Sequence, residues 1–326
     1  MQKPKSYAYV FFCILLCFAF AIGSNYGLER IIQRNLIYDI KMPKNIGAVY
    51  MTYNNPFYSV VNEEISKVVK KHGDNLITLD PSLSLKKQKE QINDLIDQRV
   101  DALVITPVRF KGLTKELKRA KQYNIPVIIV DTEVADSKYV SYNVSSDNYN
   151  AGVQCAQDMM AELPSARIAL LEHNSAYSGY MRIKGFLDTI QDHPEYQVVK
   201  HMDCKGQLEK AMPATKAFLK ENIPFDVLMC LNDPSALGGM AALEEMNQLD
   251  GKYVYGIDGT PEAKQLVEEG RMRATVAQSP KTMGQKAAKA IYCLLDHKKI
   301  APRVEVLPVQ KITKDNVSAY LLEEWQ

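Results

Sequence analysis

The sequence predicts an α/β protein with two similar doubly wound lobes, each built on a parallel sheet. Three observations predict this fold class. From residue 46 onward, short apolar runs alternate with longer segments of helical period, which is typical of βαβ units. The alternation forms two successive series of similar size, and no low-complexity linker divides them. A chain of 326 residues is also long enough for about two domains.

The apolar runs are the candidate strands, and their continuous character suits strands that are covered by helices on both faces. They are residues 46–51, 76–79, 102–105, 127–130, 168–171, 227–231, 253–257 and 274–277. The segments between them carry apolar stripes at helical spacing, which predict helices packed on the sheets. One stripe contains Val61, Ile65, Val68 and Val69, and a second contains Leu85, Gln88, Ile92, Leu95 and Ile96.

The N-terminus carries a predicted targeting or anchoring segment. Lys3 and Lys5 precede seventeen residues, 7–23, that contain no charge. This length falls between the apolar region of a signal peptide and a full membrane span. The positive charges would keep the first residues in the cytoplasm. Cleaved or not, such a segment places the rest of the chain in an extracytoplasmic location.

The sequence leaves cleavage of this segment open. Cleavage could follow Ala21 or Gly23, because small residues occur there, but neither Cys13 nor Cys17 has the small preceding residue of a bacterial lipoprotein site. Residues 28–40 show the apolar spacing of an amphipathic helix. We therefore expect a membrane anchor at 1–23 and a stalk at 24–43, with a cleaved signal peptide as the alternative.

Composition argues against a nucleic-acid partner. The formal net charge is only +2, and basic runs are short, whereas proteins that follow a phosphate backbone carry basic clusters. A transcription repressor with a two-lobed effector domain would need a helix-turn-helix before the first strand. This chain has an apolar segment there instead.

Enzyme chemistry is not expected either. The sequence contains no Gly-rich phosphate loop, no Gly-x-Ser-x-Gly elbow, no His-Glu-x-x-His and no clustered Cys and His residues. We expect no cofactor and no metal site. The cysteines beyond the anchor are expected to be free thiols: Cys155, Cys204, Cys230 and Cys293. The histidines are expected to be exposed to solvent rather than catalytic: His72, His173, His193, His201 and His297.

Polar residues follow one candidate strand after another. In open parallel sheets, ligands bind beyond the carboxyl ends of the strands. Those ends carry residues 52–58, Thr106, Asp131, Asn232, Asp233, Asp258 and Gln278. Each of them could instead be a helix cap or a turn residue, above all the two that precede Pro234. As a set they predict a ligand site at one edge of the sheets.

These side chains suit a sugar, because each sugar hydroxyl both donates and accepts a hydrogen bond. Carboxylates, amides and a guanidinium fit that pattern, and the chain supplies Asn55, Asp131, Arg182, Asn232, Asp258 and Gln278. The rings of Phe57 and Tyr58 could lie against the C–H surface of a sugar ring. We do not expect Trp325 to do so, because it stands beside the C-terminus.

Several segments carry a family resemblance. They are Tyr53-Asn54-Asn55-Pro56-Phe57-Tyr58, Ser146-Asp147-Asn148, Asn232-Asp233 with Ala236-Leu237-Gly238, Gly256-Ile257-Asp258-Gly259-Thr260-Pro261-Glu262, and Ala274-Thr275-Val276-Ala277-Gln278. In order and spacing, from residue 46 to the C-terminus, the chain resembles periplasmic monosaccharide-binding proteins of the ribose-binding type, the substrate-binding proteins of sugar ABC transporters.

The resemblance implies a type I periplasmic-binding fold, with a three-crossing hinge and one sugar in the cleft between the lobes. The N-terminal lobe would comprise residues 44–146 and 279–301, and the C-terminal lobe 147–278 and 302–326. Carried over position by position, the ligand contacts would be Asn55, Phe57, Tyr58, Asp131, Arg182, Asn232, Asp258 and Gln278. Ribose binders have Arg after the cleft Asp, but this chain has Thr132, which argues against ribose itself.

The resemblance also implies a function. The chain would bind a pentose or hexose outside the cytoplasm by closing its lobes, and would deliver it to the membrane permease of an ABC transporter. The alternative is a membrane-anchored sugar sensor that passes its closed state to a histidine kinase.

Overall fold

The computed structural model describes residues 42–325. Residues Lys44–Gln326 form one compact unit. The predicted anchor, the helix predicted at 28–40 and all of the predicted stalk except Met42 and Pro43 lie outside the described residues. Within the described part, no helix is both long enough and apolar enough to span a bilayer.

Strands and helices alternate along the described chain. The strands are β1 (Asn45–Val49), β2 (Asn75–Leu79), β3 (Ala102–Ile105), β4 (Val127–Asp131), β5 (Tyr142–Ser146), β6 (Ala166–Glu172), β7 (Tyr196–Asp203), β8 (Val227–Cys230), β9 (Tyr253–Asp258), β10 (Ala274–Ala277), β11 (Val304–Leu307) and β12 (Gln310–Thr313). The helices are α1 (Pro56–Lys71), α2 (Leu85–Asp97), α3 (Thr114–Gln122), α4 (Asn148–Glu162), α5 (Tyr177–Ile190), α6 (Leu208–Leu219), α7 (Asp233–Glu245), α8 (Pro261–Glu268) and α9 (Pro280–Leu295). Ser137–Tyr139 and Val317–Ala319 form short 3-10 helices.

The strands form two six-stranded sheets. The first has the order β11-β5-β4-β3-β1-β2, and the second has the order β12-β10-β9-β8-β6-β7. Neighbouring strands are parallel except β12, which is antiparallel to β10. We call the first sheet with α1, α2, α3 and α9 the first lobe, and the second sheet with α4–α8 the second lobe. The predicted fold class is confirmed.

Both faces of the first sheet are covered, as its apolar strands require. In β3, Ala102 and Val104 pack in one buried cluster with residues of α1 and α9, whereas Leu103 and Ile105 pack in another with residues of α2 and α3. Successive side chains of a strand point to opposite faces. A strand that is apolar at every position therefore needs helices on both sides.

The polar member of the second apolar stripe fastens a loop. Gln88 is fully buried in α2. Its amide nitrogen donates to the carbonyl of Thr106 at 2.9 Å, and its amide oxygen accepts from the backbone N–H of Val108 at 2.9 Å. Both of its polar atoms are satisfied, so this glutamine holds the loop that leaves the carboxyl end of β3.

The chain passes between the sheets three times. The passages lie between β5 and α4, between β10 and α9, and between β11 and β12. The first two lie at residue 147 and at residues 278–279. The third lies later than residue 302, because β11 pairs with β5 in the first sheet. Val304 and Val306 on this edge strand are about half exposed, so it lacks the continuous apolar run of a central strand.

Candidate ligand-binding site

A cavity lies between the lobes, beyond the carboxyl ends of both sheets. All of the predicted site residues line it: Asn55, Phe57, Tyr58, Asp131, Arg182, Asn232, Asp258 and Gln278. Thr52, which belongs to the predicted strand-end set, also lines it, whereas the sequence-based reasoning missed a further group: Met51, His173, Ala176, Ser178, Gly179, Lys205, Gly206, Gln207 and Leu231. The structure thus brings the predicted set together around one space.

Two carboxylates reach the cavity from strained backbone positions. Asp131 ends β4 with a φ of 72°, and Asp258 ends β9 with a φ of 144°. Residues other than glycine rarely adopt positive φ, and such strain costs on the order of 1–3 kcal/mol. Backbone strain of this kind concentrates at functional sites. Both strained carboxylates lie in the same cavity, one from each lobe.

Arg182 lies in the part of the cavity that the second lobe forms, and several bonds hold its side chain. Its Nε donates to Asn148 Oδ1 at 2.8 Å, and its Nη1 donates to the carbonyl of Leu231 at 3.0 Å. Nη1 also lies 3.4 Å from Asp258 Oδ1, which makes a buried ion pair. These bonds fix the plane of the guanidinium. Nη2 has no hydrogen-bond partner among residues 42–325, so a donor remains for a ligand.

Two buried acceptors beside Arg182 are unpaired. Gln278 Nε2 donates to Asp258 Oδ1 at 2.7 Å. Asp258 Oδ2 and Gln278 Oε1 are buried and have no hydrogen-bond partner within the described chain. An unsatisfied buried acceptor costs about 1–3 kcal/mol. Hydroxyl groups of a ligand would relieve that cost.

Burial controls the charge of the cavity carboxyls. It raises the pKa of Asp258 well above its ordinary value, although the nearby Arg182 charge opposes this rise. Burial also raises the pKa of Asp131, against the opposing effects of Arg182 and of a hydrogen bond from Tyr58. Two buried carboxyls therefore share one buried guanidinium. Such a site favours ligands that donate hydrogen bonds.

The aromatic residues of the cavity, Phe57 and Tyr58, lie at the start of helix α1. The rings of Phe57 and Tyr58 meet edge to face, with their centroids 5.6 Å apart. The hydroxyl of Tyr58 donates to Asp131 Oδ2 at 3.0 Å, which holds that carboxylate in place. Trp325 does not line the cavity, but its ring meets Phe57 edge to face at 5.9 Å.

Two cavity amides are also helix caps. Asn55 Oδ1 accepts from the backbone N–H of Phe57 at 2.9 Å, at the start of α1. Asn232 Oδ1 accepts from the N–H of Ser235 at 3.1 Å, at the start of α7. Capping and cavity lining thus coincide at these positions. In both cases the cap uses the amide oxygen, and the Asn232 nitrogen donates to the carbonyl of Gly206 at 3.1 Å.

Two other residues at strand ends, Asp233 and Thr106, are buried in the fold and do not line the cavity. Asp233 is fully buried and does not line the cavity. Its carboxylate accepts from the N–H of Thr260 at 2.8 Å and from the hydroxyl of Thr275 at 2.7 Å. Burial outweighs these bonds and raises the pKa of Asp233 to about 6. Thr106 is likewise buried outside the cavity lining.

The expectation that the histidines are exposed is wrong for His173. This side chain is buried and lines the cavity. Its Nε2 lies 2.9 Å from the hydroxyl of Ser175. Burial lowers the pKa of His173 to about 4, so the ring is neutral at pH 7. His173 directly follows β6, so the strand-end pattern could have found it.

The lobes touch each other on both sides of the cavity. On one side, Phe110 donates its backbone N–H to the carbonyl of Ser175 at 3.0 Å, and its ring stacks on Tyr177 at 4.6 Å. On the other side, Asn54 Nδ2 donates to Glu209 Oε1 at 3.3 Å. These contacts join residues of different lobes.

The amino-acid sequence of the chain matches a known protein family. A family profile described as a periplasmic binding protein domain matches residues 46–299, which is most of the chain. The chain belongs to the periplasmic binding protein family. Membership implies an extracytoplasmic location, as expected, whereas anchoring by the N-terminus stays a prediction.

Relatives of this periplasmic binding protein support the assignment. The ribose import binding protein of Bacillus subtilis is 31% identical over 258 residues, which cover 78% of this chain and 83% of the relative. It is a solute-binding protein, not an enzyme, as expected for this chain. The resemblance to the ribose-binding type is thereby confirmed.

Solved structures of other periplasmic binding proteins share the fold. The binding protein of the arabinose ABC transporter from Shewanella sp. ANA-3, solved with L-arabinofuranose, is 25% identical and has a TM-score of 0.79 over 85% of this chain and 94% of that chain. An ABC transporter solute-binding protein from Bacillus halodurans C-125, solved with myo-inositol, is 23% identical and has a TM-score of 0.80 over 86% of this chain and 98% of that chain.

Proposed function

We propose that this chain binds one monosaccharide, a pentose or a hexose, in the cavity between its lobes and delivers it to the permease of an ABC transporter. The observation that carries the proposal is the pair of unpaired buried acceptors, Asp258 Oδ2 and Gln278 Oε1. The Arg182 guanidinium stands beside them as a donor. A sugar hydroxyl donates and accepts at once, so adjacent hydroxyls can bond to both kinds of group.

Both lobes would contact the same sugar. Asn55, Phe57, Tyr58 and Asp131 belong to the first lobe, and Arg182, Asn232 and Asp258 to the second, with Gln278 at a crossing. A ligand held from two sides favours the closed arrangement over an open one, because only the closed arrangement makes all the contacts. We propose that the three crossings act as the hinge of this closure, the kind of motion known in periplasmic binding proteins.

The sugar is proposed to differ from ribose. Ribose binders of this family have Arg directly after the cleft Asp, and this chain has Thr132. The hydroxyl of Thr132 is bonded to Ser178 of the second lobe, and Thr132 does not line the cavity. The fork of donors that an Arg would supply is absent at this position.

A thermal-shift panel of pentoses, hexoses and polyols on the full chain tests the sugar proposal. A ligand that binds only the folded state stabilises it by RT ln(1 + [L]/Kd), about 2.7 kcal/mol at a hundredfold excess over Kd. We expect at least one monosaccharide to raise the melting temperature. The Asp258→Ala variant should lose the shift and still melt cooperatively, while the control Asp250→Ala, at an exposed loop position, should keep it. If no monosaccharide shifts the transition and another small polar molecule does, the proposal is wrong.

The sensor alternative rests on the N-terminal sequence. Residues 7–23 lack charges, and neither Cys13 nor Cys17 has the preceding small residue of a lipoprotein site. An uncleaved anchor with a stalk would suit a fixed partner such as a histidine kinase. The intact mass of protein isolated from membranes decides this point. A chain that begins at Met1 keeps the sensor alternative, and one that begins near Ile22 or Ser24 favours transport.

A further inference from the structure

A second concave surface lies at the opposite edge of the first sheet. It is an open depression of about 980 Å³. Its residues come from segments that precede β1, β3, β4, β5 and β11, so they gather at the amino edge, whereas the sugar cavity lies at the carboxyl edge. We call this depression the basic surface. Its cationic residues are Lys44, Arg99, Lys121, Lys138 and Arg303.

The positive charge of the basic surface is not neutralised within the fold. None of its five Lys and Arg side chains forms an ion pair with a carboxylate among residues 42–325. By contrast, Arg119, which is close in sequence, pairs with Asp97. Asp101 lines the same depression, and its Oδ2 accepts from the backbone N–H of Asn45 at 2.7 Å. The depression therefore has an excess of four positive charges over negative ones, from five cations and one carboxylate.

Helix dipoles explain part of this charge and not the rest. Cations near the C-terminus of a helix are stabilised by its dipole. Lys121 lies in the last turn of α3, and Arg99 follows the end of α2, so both fit that explanation. Lys44 and Arg303 stand before strands and Lys138 lies in a 3-10 helix. The last three residues extend the positive surface beyond what the dipoles account for.

Two tyrosines accompany the cations. The Arg99 guanidinium lies 4.4 Å from the ring centre of Tyr123, and the Lys138 ammonium lies 5.2 Å from that of Tyr139. Tyr123 is 40% exposed. Tyrosine has an apolar ring and a polar tip and is enriched where protein meets the membrane–water interface. An exposed tyrosine, Tyr123, among unpaired cations is a combination that suits lipid headgroups.

The basic surface lies where the chain enters the fold. Lys44 directly follows the predicted stalk, residues 24–43, which follows the predicted anchor. Twenty residues span about 30 Å as a helix and at most about 70 Å when extended. We propose that the basic surface docks on anionic lipid headgroups of the membrane that holds the anchor. Docking by the amino edge keeps the carboxyl edge of the first sheet, and with it the sugar cavity, away from the lipid.

Vesicle co-sedimentation tests this proposal without the predicted anchor. Residues Lys44–Gln326 form a compact unit with buried cores of their own, so a chain that starts at Lys44 serves, with a cooperative melt as the check of folding. We expect about tenfold more binding to phosphatidylcholine vesicles with about 30% phosphatidylglycerol than to phosphatidylcholine alone. The difference should disappear between about 0.05 M and 0.3 M salt, because salt screens exposed charges.

A matched pair of variants distinguishes the effect of the basic surface on vesicle binding from the effect of the net charge of the protein. The triple variant Arg99→Glu, Lys121→Glu, Lys138→Glu should lose the binding to anionic vesicles. The control Lys86→Glu, Lys87→Glu, Lys220→Glu makes the same change in net charge at exposed positions elsewhere and should keep it. Equal loss in both variants, or no preference for anionic vesicles, would overturn the proposal. Calorimetric binding of one inorganic phosphate or glycerol phosphate per chain, with displacement from vesicles, would assign the surface to a soluble anion instead.

Discussion

The side-chain hydroxyl of Thr132 in the first lobe accepts a 3.0 Å hydrogen bond from the backbone N–H of Ser178 in the second lobe. Ser178 lies in the first turn of α5, where N–H groups lack partners within the helix. No side chain of the residue that precedes α5 caps this end. Thr132 thus caps a helix of the opposite lobe, and Ser178 also lines the sugar cavity. The bond between Thr132 and Ser178 therefore couples the contact between the lobes to the shape of the cavity.

The first prediction concerns this cap. Thr132→Val keeps the shape of the side chain and removes the acceptor, so the closed arrangement loses a hydrogen bond worth about 1 kcal/mol. We expect sugar affinity in a calorimetric titration to fall about fivefold to tenfold. The control Thr189→Val removes a hydroxyl that bonds within α5, to the carbonyl of Gly185, and should leave affinity unchanged. Equal affinities of wild type and Thr132→Val would contradict a closure role for the cap.

The second prediction is the pH dependence of binding. Burial raises the pKa of Asp258 and of Asp131 in the unliganded fold. Hydroxyls that donate to the carboxylates stabilise their ionised forms and lower these pKa values, so binding releases protons. Affinity should therefore fall as the pH is lowered from about 7 toward about 4, the ordinary range of Asp. Titrations across this range on wild type and Asp258→Asn check it. A flat wild-type profile would contradict the proposed contacts.

The third prediction concerns stability without ligand. A carboxyl whose pKa is raised on folding stabilises the fold fully only below its unfolded pKa, and this contribution is lost as the pH rises through the folded pKa. Asp258→Asn has no ionisable side chain at this position, so its stability does not decrease in this way as the pH rises. The variant should therefore gain stability relative to wild type near pH 7, and the gain should shrink as the pH falls toward the ordinary range of Asp, about 4. Urea unfolding at several pH values measures it. A gain that grows toward low pH would be inconsistent with the raised pKa.

The fourth prediction concerns the close approach of α4 and α5. A Cβ added at Gly152 would lie 1.9 Å from the carbonyl oxygen of Arg182. The backbone of α5 must then shift at the residue that anchors the ion pair with Asp258. We expect Gly152→Ala to destabilise the fold by about 1–3 kcal/mol in urea unfolding and to weaken sugar binding. Gln157→Ala, at an exposed position of α4, is the control. Wild-type stability and affinity of Gly152→Ala would contradict this account of how Arg182 is positioned.

The fifth prediction uses the single tryptophan of the chain. Trp325 packs against Phe57, which lines the cavity. The C-terminal segment is held to the second lobe by the Lys264 ammonium, which donates to the carbonyls of Leu321 and Glu324. A sugar on Phe57, or movement between the lobes, should change the tryptophan emission with the same midpoint as the calorimetric titration. A bound sugar that leaves the emission unchanged would exclude this coupling.

The sequence-based prediction found the strands that carry apolar runs, including the partly exposed edge strand β2, and missed four others. Among the strands missed, β7, β11 and β12 lie at sheet edges, where partial exposure breaks the apolar run. The fourth, β5, is fully buried but contains Asn143, Ser145 and Ser146. The side chain of Asn143 donates to the carbonyl of Thr132 at 2.9 Å. Hydropathy alone does not identify such a strand.

The cavity lining was predictable only in part, for a physical reason. Residues such as Asp131 and Asp258 end strands, so the strand pattern places each of them at the carboxyl edge of its own sheet. The bond between Thr132 and Ser178 depends on how the lobes meet, and no local pattern encodes that relation. Gln207 lines the cavity from the loop between β7 and α6, and it was missed because β7 is an edge strand that the apolar pattern did not identify.

Calorimetric titration of the wild-type chain and of Asp258→Ala with the monosaccharide that stabilises the protein most tests the central claim directly. The account predicts one sugar per wild-type chain. For the variant, it predicts a loss of affinity of at least about tenfold, because the carboxylate that accepts the sugar hydroxyl is removed. Wild-type affinity in Asp258→Ala would contradict a sugar site built on Asp258, Gln278 and Arg182. The absence of a heat of binding for every monosaccharide would contradict it as well.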